Sequence, residues 1–472
     1  MRKTKIICTL GPSTDNENII RDLILCGMNV ARINTSHGDL LKHKKRVDII
    51  KKIREELNLP VALLLDTRGP EIRLKKIENE SVVLKNGQKF VLTTRKILGN
   101  EKICSVTFKD LPKDVKKNTK IFLNDGLLEL KVEKIDQTDV VCEVTSGGVL
   151  YSSKGINIPN VRVSLPFLSS EDLKDIEFAV KEDFDFIAAS FTRNERDIEF
   201  LREYLKEHKS QSIKLIAKIE NFEGVKNVDS IIKASDGVMV GRGDLGTELP
   251  MEDVPIIQKY LIKKAIAEHK DAIVATEMLE SMIKNLRPTR AECSDVANAI
   301  FDGASAVMLS GETASGNYPI EALSMMSKIA KRAEKEVDYQ LGFNKNTDRS
   351  LKMGKTSATS HAACTISHDV RAVAIMALTK AGDSSHMISS FKPNATIIGV
   401  TNNKKVYRQM GLSWGVSPIL INNKVTEQEF FNEALQISIS KKLVKKGDTI
   451  IVSANTSSKF FKSANIVKIH KI

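Results

Sequence analysis

The feature that most restricts the fold is a series of eight short, β-branched apolar runs separated by helical patterns. Amphipathic stretches such as "NIIRDLILCG", "DIEFLREYLKEH" and "VPIIQKYLIKKAIAEH" lie between most of the runs and are long enough to form crossover helices. Alternating strands and helices produce a parallel sheet, and eight such units can close into a (β/α)8 barrel. The runs are residues 5–9, 29–33, 61–65, 184–189, 214–219, 237–240, 272–275 and 306–309.

Two regions do not fit the repeat and predict further domains. About 95 residues between Gly69 and Leu165 contain strand-like pieces such as "KFVLTT", "KIFLND", "LLELKVEKI" and "DVVCEV" but no long helical pattern, so we expect an inserted all-β lid. Past a Lys- and Glu-rich helix, the polar stretch "FNKNTDRSLKMGKTS" is predicted to be a linker to a third, α/β unit with strands "AVAIMAL", "ATIIGV", "SPILI" and "DTIIVS". The predicted domains are a barrel (1–69 and 165–340), a β-barrel lid (70–164) and a carboxyl-terminal α/β domain for effector binding or oligomerisation (341–472).

The composition narrows the possible classes of function. The balance of 42% hydrophobic and 28% charged residues is typical of a globular protein, and no apolar run approaches the roughly 20 residues that span a bilayer. The start, "MRKTKIICTLGPS", lacks a signal-peptide core, and the six cysteines show no CxxC pairs, so a cytoplasmic protein without a zinc site or disulfide framework is expected. A net charge of +13 leaves RNA binding open, but the charge is spread along the chain and aromatic residues are only 5%. We therefore expect neither nucleic acid nor membrane as a partner.

Polar side chains follow almost every predicted barrel strand, at the end where such barrels carry their chemistry. Because polar residues recur at the same end of seven strands, we interpret them as one shared site rather than as isolated helix caps or surface charges. These side chains are Arg32, Asn34 and Ser36; Asp66, Thr67, Glu71 and Arg73; Ser190 and Arg193; Lys218 and Glu220; Arg242 and Asp244; Thr276 and Glu277; Ser310 and Glu312.

The mixture of residue types indicates charge neutralisation rather than covalent catalysis. Glu220 and Asp244 offer hard oxygens for Mg²⁺, whereas Arg32, Arg73 and Lys218 offer positive charge to a polyanion. No nucleophilic Ser–His–Asp set, Walker A loop or protein-kinase glycine loop occurs near them. A divalent metal with several cations and no nucleophile suits phosphoryl transfer.

Within "IKLIAKIENFEGV", the strand period of two puts Lys218 and Glu220 on the same face. A buried structural salt bridge is the alternative to a catalytic pair.

Ten motifs of the chain resemble, in order, those of the pyruvate kinases. They are "KTKIICTLGPS", "MNVARINTSHG", "LLLDTRGPEIR", "SKGINIP", "FIAASFTR", "KIEN", "GRGDLG", "ATEMLESM", "PTRAECSDVANAIFDGASAVMLSGETASGNYP" and "LSWGVSP", and they cover essentially residues 3–420. The resemblance implies transfer of the phosphoryl group of phosphoenolpyruvate to ADP, giving pyruvate and ATP. It also implies a homotetramer.

The resemblance assigns roles residue by residue. Lys218, Arg32 and Arg73 would hold the transferring phosphoryl group, and Glu220 with Asp244 would ligate Mg²⁺ or Mn²⁺. The amides of Gly243 and Asp244, with the Thr276 hydroxyl, would seat the substrate carboxylate. Thr276 with ordered water and Ser310 would protonate the enolate, and Glu312 would orient that network. Arg73, Lys154, Asn34 and His37 are expected to contact the nucleotide.

The resemblance also implies a K⁺ site made by Asn34, Ser36, Asp66 and Thr67. Glu71 is the residue expected in K⁺-dependent members, and the lysine that would replace the ion with a tethered charge is absent. Three positions depart from the family pattern: Arg68 where Lys is common, Gly241 where Ala is usual, and Glu277 where Gln is usual. Glu277 would add a negative charge near the substrate carboxylate unless its side chain points away.

Regulation is where the chain departs most from the resemblance. The stretch corresponding to the loop that wraps a phosphate of fructose 1,6-bisphosphate in activated members is "TKAGDSSH". It keeps Thr379 and Gly382 but has Ala381 and Asp383, and the terminal loop "SANTSSKFFKSAN" has no glycine. The candidate effector residues, to which Lys459 and Lys462 would add charge, are Thr379, Lys380, Gly382, Ser384 and Ser385.

Two other functions remain open from the residues alone. One is a Mg²⁺-dependent lyase or aldolase acting on keto acids, and the other is an RNA-binding protein. ADP-dependent formation of pyruvate distinguishes all three.

Overall fold

The chain is organised around a closed barrel of eight parallel strands, seen in a computed structural model that describes residues 2–124, 126–159, 161–346, 354–421, 427–454 and 464–472. In chain order the strands are β1 Lys5–Thr9, β2 Val30–Asn34, β3 Ala62–Asp66, β4 Ile72–Arg73, β5 Ser81–Leu84, β6 Lys89–Thr93, β7 Ile103–Ser105, β8 Lys120–Leu123, β9 Leu128–Ile135, β10 Asp139–Ser146, β11 Gly148–Tyr151, β12 Gly155–Asn157, β13 Phe186–Ala189, β14 Lys214–Ile219, β15 Gly237–Gly241, β16 Asp271–Ala275, β17 Ala306–Leu309, β18 Ala374–Leu378, β19 Thr396–Thr401, β20 Val416–Leu420, β21 Thr449–Ala454 and β22 Ile466–Lys471.

The helices follow the strands as expected for α/β units. They are α1 Glu17–Cys26, α2 Leu40–Glu56, α3 Leu111–Asp114, α4 Ser170–Lys181, α5 Glu195–Glu207, α6 Phe222–Lys226, α7 Val228–Ala234, α8 Arg242–Glu248, α9 Val254–Ala267, α10 Arg290–Phe301, α11 Gly311–Ala314, α12 Pro319–Ala333, α13 Tyr339–Asn346, α14 Lys355–Asp369, α15 Asp383–Ser390, α16 Lys404–Gln409 and α17 Glu427–Ser440. Among the described residues, no helix is long and apolar enough to cross a membrane.

Several of these helices begin at residues that cap their free backbone amides. Asn16, Asp39 and Asn194 each accept a hydrogen bond from an amide in the first turn of α1, α2 and α5. Ser169 and Thr289 form capping boxes at the starts of α4 and α10. The local sequence therefore determines where these helices begin.

The eight predicted barrel strands are confirmed, each within two residues of its observed bounds. They close in the order β1-β17-β16-β15-β14-β13-β3-β2. The period of two sends Val30, Leu64, Ile216 and Met239 into the barrel, where Leu412 from the carboxyl-terminal unit joins the same core. Because Ile216 faces inward, Lys218 two residues later lies on the inward face of β14 as predicted.

The inserted region forms its own sheet and core. Its seven strands are ordered β4-β12-β8-β9-β10-β6-β7, and β11 pairs with β5 separately. The edge strands β4 and β7 continue into one antiparallel bridge between Leu74 and Val106, so the sheet curls back on itself. This agrees with an inserted β unit, whereas the domain boundaries at residues 69/70 and 164/165 stay predictions.

The carboxyl-terminal unit is a five-stranded sheet in the order β20-β19-β18-β21-β22. Its first four strands match the predicted runs, but β22, antiparallel to β21, was not predicted. The prediction of a linker over residues 343–357 is also wrong in part, because α13 and α14 extend into it. Phe343 is buried there against the rings of Phe391 and His361, and this aromatic contact packs α13 against the carboxyl-terminal unit.

One buried and one half-buried lysine, Lys5 and Lys3, lie where the barrel meets the carboxyl-terminal unit. Lys5 Nζ donates to the Val416 carbonyl at 2.6 Å, and Lys3 Nζ donates to the Asn394 carbonyl at 2.6 Å beside the Trp414 ring. Burial, followed by the Arg2 guanidinium, lowers the pKa of Lys5 to about 7, although Glu334 and Asp271 act in the opposite direction. An unfolded lysine has a pKa of about 10.4, so between about pH 10 and pH 7 the unfolded chain binds a proton that folded Lys5 does not. Lys5 therefore destabilises the fold as the pH falls through this window.

Lys5→Met is expected to remove that pH-dependent penalty. The melting temperature of the variant minus that of the wild type should be largest near pH 7. This difference should decrease as the pH rises to about 9.5. Thermal unfolding followed by circular dichroism at several pH values measures the difference, and Lys76→Met at an exposed position is the control. A difference between Lys5→Met and wild type that does not change with pH would contradict the prediction.

Candidate active site

A cleft of about 590 Å³ opens between the carboxyl ends of the barrel strands and the inserted unit. Arg73 and Lys154 line it from the inserted unit, and Asp244 and Glu248 line it from the barrel. Asn157 Nδ2 donates to Glu248 Oε1 at 3.4 Å and joins the two sides. The cleft therefore brings together polar residues that lie far apart in the chain.

Lys218 is the centre of an ion-pair network at the end of β14. Its Nζ is 3.0 Å from Asp66 Oδ1 and 2.9 Å from Glu220 Oε1, and it donates to Ser190 Oγ at 2.7 Å. Burial alone would lower the pKa of Lys218, but the charges of Asp66 and Glu220 outweigh it, and the pKa is raised. The ammonium is therefore kept charged and held in one position.

Asp66, which is fully buried, links Lys218 to Arg32. Arg32 Nε donates to Asp66 Oδ2 at 2.6 Å, and its Nη1 donates to Thr9 Oγ1 at 2.8 Å. Burial would raise the pKa of Asp66, but Arg32 and then Lys218 lower it further than burial raises it. One carboxylate thus holds two of the predicted phosphoryl-binding cations at adjacent points of the barrel rim.

Glu220 and Asp244 are close enough to influence one another electrostatically. Burial raises the pKa of Glu220; the Lys218 ammonium opposes this shift, and the charges of Asp244 and Asp66 add to it. Glu220 Oε2 also accepts a hydrogen bond from the Phe191 amide at 2.9 Å. Two mutually repelling carboxylates are what a divalent cation would stabilise, so the pair fits the predicted Mg²⁺ or Mn²⁺.

Further ligands of such an ion would come from outside the side chains named here. Over the described ranges, no group of three or more His, Cys, Asp and Glu side chains is arranged to hold a metal. A site with two carboxylates leaves the remaining positions to oxygens of substrate or water.

Gly241, one of the three departures from the family pattern, lies directly against Glu220. A Cβ atom at this position would be 2.5 Å from Glu220 Oε1 and 2.6 Å from its Cγ. The absence of a side chain is therefore required for the position that Glu220 takes here.

Thr276 lies in a left-handed turn after β16. Thr276 and Glu277 have φ values of +67° and +53°, a conformation that L residues adopt only when their surroundings hold it. The Thr276 hydroxyl accepts from the Gly243 amide at 2.9 Å and donates to the Ala275 carbonyl at 2.6 Å. The Gly243 segment and the Thr276 hydroxyl are therefore in contact, whereas their role in seating a carboxylate stays a prediction.

Glu312 connects this turn to Ser310 through the backbone. Its Oε1 accepts from the Leu279 amide at 2.9 Å and its Oε2 accepts from the Ser310 amide at 2.7 Å. Burial raises the pKa of Glu312, and these amides oppose that shift. Ser310 Oγ is buried without a hydrogen-bond partner among the described residues.

Three of the four predicted nucleotide-binding residues, Arg73, Lys154 and His37, line the cleft, whereas Asn34 is not among its lining residues. Arg73 Nε donates to Glu71 Oε2 at 2.6 Å, and its Nη1 donates to the Ser153 carbonyl at 3.2 Å. Burial lowers the pKa of His37, and the positive charges of Arg73, Arg32 and Lys154 lower it further.

The predicted K⁺ ligands are close neighbours on β2 and β3. Asn34 and Asp66 are directly opposite one another in the strand register, and Asn34 Oδ1 accepts from the Ser36 amide at 3.1 Å. The Thr67 carbonyl accepts from Ser190 Oγ at 2.6 Å, and Ser190 Oγ also donates to Asp66 Oδ1. Hard oxygens are concentrated at this point, as a monovalent cation requires.

Some strand-end residues have partners that indicate a structural role. Arg193 pairs with Asp197 on α5, and Arg68 pairs with Asp175 on α4. Glu277 is exposed, so no contact supports the predicted effect of its charge on the substrate carboxylate.

Two residues important to the network had no role in the sequence-based prediction. Ser190 contacts Lys218, Asp66 and Thr67, and Arg242 binds the turn that carries Thr276. Both were noted as strand-end polar residues, but no sequence signal identified their partners.

The candidate effector segment lies at the end of β18 and the start of α15. Thr379 Oγ1 accepts from the Gly382 amide at 2.9 Å, and Gly382 has a φ of +90°. Ser384 and Ser385 are buried, whereas Lys380 is exposed. Lys459 and Lys462 lie outside the described residues.

Comparison with known proteins gives a consistent result over the whole chain. Residues 1–323 match the family described as "Pyruvate kinase, barrel domain" and residues 357–470 match "Pyruvate kinase, alpha/beta domain". A pyruvate kinase of Clostridium acetobutylicum is 42% identical, with 100% of both chains covered. One from Geobacillus stearothermophilus is 43% identical over 100% of this chain and 80% of its own length. The crystal structure of a pyruvate kinase from Cryptosporidium parvum superposes with a TM-score of 0.94 at 38% identity, covering 100% of this chain and 96% of that one.

Proposed function

The chain belongs to the pyruvate kinase family and transfers the phosphoryl group of phosphoenolpyruvate to ADP, and we propose which of its residues carry out this reaction. The observation that carries the proposal is the buried Lys218 ammonium, held between Asp66 and Glu220 at the carboxyl end of β14.

Lys218, Arg32 and Arg73 bind the phosphoryl group as it moves between the two substrates. Because Lys218 and Arg32 are already fixed by Asp66, little reorganisation is needed when charge shifts onto the phosphoryl oxygens. Arg73 forms its ion pair with Glu71 at a half-exposed position, so it can exchange that partner for phosphate.

The substrate carboxylate is seated by the amides of Gly243 and Asp244 and by the Thr276 hydroxyl. The amides lie at the start of α8, next to the hydroxyl that already contacts Gly243. Glu220 and Asp244 hold Mg²⁺ or Mn²⁺, which when bound neutralises charge on the substrate oxygens.

Protonation completes the reaction after the phosphoryl group has left the enolate. Thr276, with water and the Ser310 hydroxyl, delivers the proton to the methylene carbon, which forms the new C–H bond as the enolate becomes pyruvate. In support, Ser310 Oγ has no hydrogen-bond partner among the described residues. Glu312 orients this route through its bonds to the Leu279 and Ser310 amides.

The remaining assignments concern K⁺ and the nucleotide. The K⁺ ligands are Asn34, Ser36, Asp66 and Thr67. In support of this assignment, Asn34 and Asp66 lie opposite one another in the register of β2 and β3. The nucleotide binds along Arg73, Lys154, Asn34 and His37, with Arg73 and Lys154 lining the cleft.

A coupled assay tests the function as a whole. Pyruvate should form from phosphoenolpyruvate only when ADP is present, and omission of either Mg²⁺ or K⁺ should reduce the rate. Formation of pyruvate without ADP would instead support a lyase. Neither that alternative nor RNA binding is supported by the comparisons.

We further propose a cytoplasmic homotetramer. Exposed apolar side chains of α9, Ile256 and Tyr260, support contact with a second copy. Light scattering of the purified chain measures the assembly, and a monomer at micromolar concentration would refute it.

We expect fructose 1,6-bisphosphate to be a weak activator or none. Ala381 lacks the hydroxyl of the family loop, the exposed Asp383 carboxylate lies next to Gly382, and the Ser384 and Ser385 side chains are buried. A lost hydroxyl donor costs roughly 1 kcal/mol, and an unpaired carboxylate near phosphate costs more. Any effector is then a different phosphorylated metabolite, or the site is vestigial.

Titration of fructose 1,6-bisphosphate at sub-saturating phosphoenolpyruvate tests this expectation. The apparent substrate constant should change by less than about tenfold, equivalent to about 1.4 kcal/mol of coupling. A larger fall at micromolar effector would show that the segment is a working site.

A further inference from the structure

The turn that carries Thr276 is held in place by a residue to which the reaction assigns no part. Thr276 and Glu277, in succession, adopt left-handed backbone conformations that cost free energy. Such a turn persists only if the surrounding structure supplies bonds that are lost when it relaxes. The groups that supply them therefore control where the Thr276 hydroxyl lies.

Arg242 makes those bonds with its planar guanidinium. Its Nε and Nη2 donate to the Thr276 carbonyl at 3.1 and 2.6 Å, and its Nη2 also donates to the Glu277 carbonyl at 3.0 Å. A forked donor can bind two successive carbonyls at once, which a single ammonium cannot do as well. The side chain of Arg242 is only 9% exposed, so these bonds face little competition from water.

Asp295 on α10 fixes the other side of the guanidinium. Arg242 Nη1 donates to Asp295 Oδ1 at 2.8 Å and to Oδ2 at 2.7 Å. The guanidinium is thus bound on one edge by a helix carboxylate and on the other by the strained turn. Since Gly243, whose amide binds the Thr276 hydroxyl, directly follows Arg242, one short segment holds both the backbone and the side chain of Thr276.

We propose that Arg242 is a positioning residue that maintains the left-handed turn after β16 and thereby fixes the Thr276 hydroxyl beside the Gly243 amide. This inference rests on the role proposed for Thr276. Arg242 touches neither substrate nor the reacting atoms, and it acts through the turn, with Asp295 as its anchor.

Arg242→Met is expected to lower kcat on the order of a hundredfold, because small displacements of a catalytic group have effects of this size. Arg242→Lys should be intermediate, since its ammonium reaches fewer carbonyl oxygens. Arg202→Met is the matched control. Arg202 likewise donates to a backbone carbonyl, that of Ala234, and to a carboxylate, that of Asp236. These bonds connect α5 to the residues just before β15. The control should change kcat by less than about twofold.

Two measurements separate positioning from general stability. Exchange of the pyruvate methyl hydrogens with deuterium from solvent reports proton transfer at the site and should fall in parallel with kcat. In a Thr276→Ala background, Arg242→Met should cost less than about threefold, because the hydroxyl that it positions is already gone.

The inference would be overturned if the losses of kcat in the two single variants multiply in the double variant. It would also be overturned if Arg242→Met keeps kcat and the exchange rate within about threefold of wild type. Either result leaves the role of Thr276 intact. A Thr276→Ala enzyme with near wild-type activity would instead refute the role proposed for Thr276 and the inference that rests on it. If Arg242→Met does not fold, Asp295→Asn takes its place. This substitution keeps the Arg242 guanidinium but weakens the ion pair that holds it. A folded Asp295→Asn enzyme with an unchanged rate of methyl-hydrogen exchange would also overturn the inference.

Discussion

Replacing Lys218 with Met is expected to lower turnover on the order of a hundredfold or more. The substitution keeps the length of the side chain and deletes the ammonium that Asp66, Glu220 and Ser190 hold at the phosphoryl position. Turnover is measured by the coupled assay at saturating phosphoenolpyruvate and ADP. A variant that keeps more than about a tenth of wild-type turnover would falsify the role of Lys218.

The loss must be separated from loss of structure, because Met leaves buried carboxylates behind. Asp66 keeps its bond to Arg32, whereas within the described part of the chain Glu220 keeps the Phe191 amide alone, so the melting temperature should also fall. Turnover is therefore compared well below the melting temperature of the variant, with circular dichroism confirming the fold. Lys214→Met, on the same strand but at its amino end, is the matched control and should retain activity.

Removal of K⁺ is expected to lower activity roughly tenfold or more, which corresponds to about 1.4 kcal/mol of transition-state stabilisation. The oxygens of Asn34, Ser36, Asp66 and Thr67 are held by neighbouring strand ends and should discriminate by ion size, so that Na⁺ or Li⁺ substitutes poorly. Initial rates are compared in K⁺, Na⁺, Li⁺ and a bulky tetraalkylammonium salt at equal ionic strength.

Glu71→Lys tests the same site from the protein side. Lysine at this position is expected to act as a tethered cation and to reduce the dependence on K⁺. Because Glu71 pairs with Arg73, the variant also releases that arginine, and its KM for ADP should be measured together with kcat. Glu78→Lys, the same change at an exposed position of the inserted unit, is the control. Full activity in tetraalkylammonium alone, with a Glu71→Lys enzyme that behaves as wild type, would rule out a K⁺ site.

The positions of the elements were largely predictable because they depend on local patterns. The eight apolar runs, the period of two that places Lys218 and Glu220 on one face, and the capping residues act over a few neighbouring positions. The ordered motifs identified the family, and the comparisons agree with it. The errors lie where local pattern is weak. β22 alternates little, and the segment before α14 is mostly polar, while the partners of its Phe343, Phe391 and His361, are distant in sequence.

Strand and helix periodicity depends on adjacent residues, so the barrel, the inserted β unit and most residues at the strand ends could be predicted from the sequence alone. The partners of those residues became known only from the folded chain. Asp66 pairs with Lys218, Arg242 donates hydrogen bonds to the turn at Thr276, and Gly241 leaves space for Glu220. Each of these contacts joins separate strands or loops. Such contacts, and the burial that shifts the pKa values of Lys5 and Glu220, depend on how the barrel closes and on what packs against it, which no short stretch of sequence specifies.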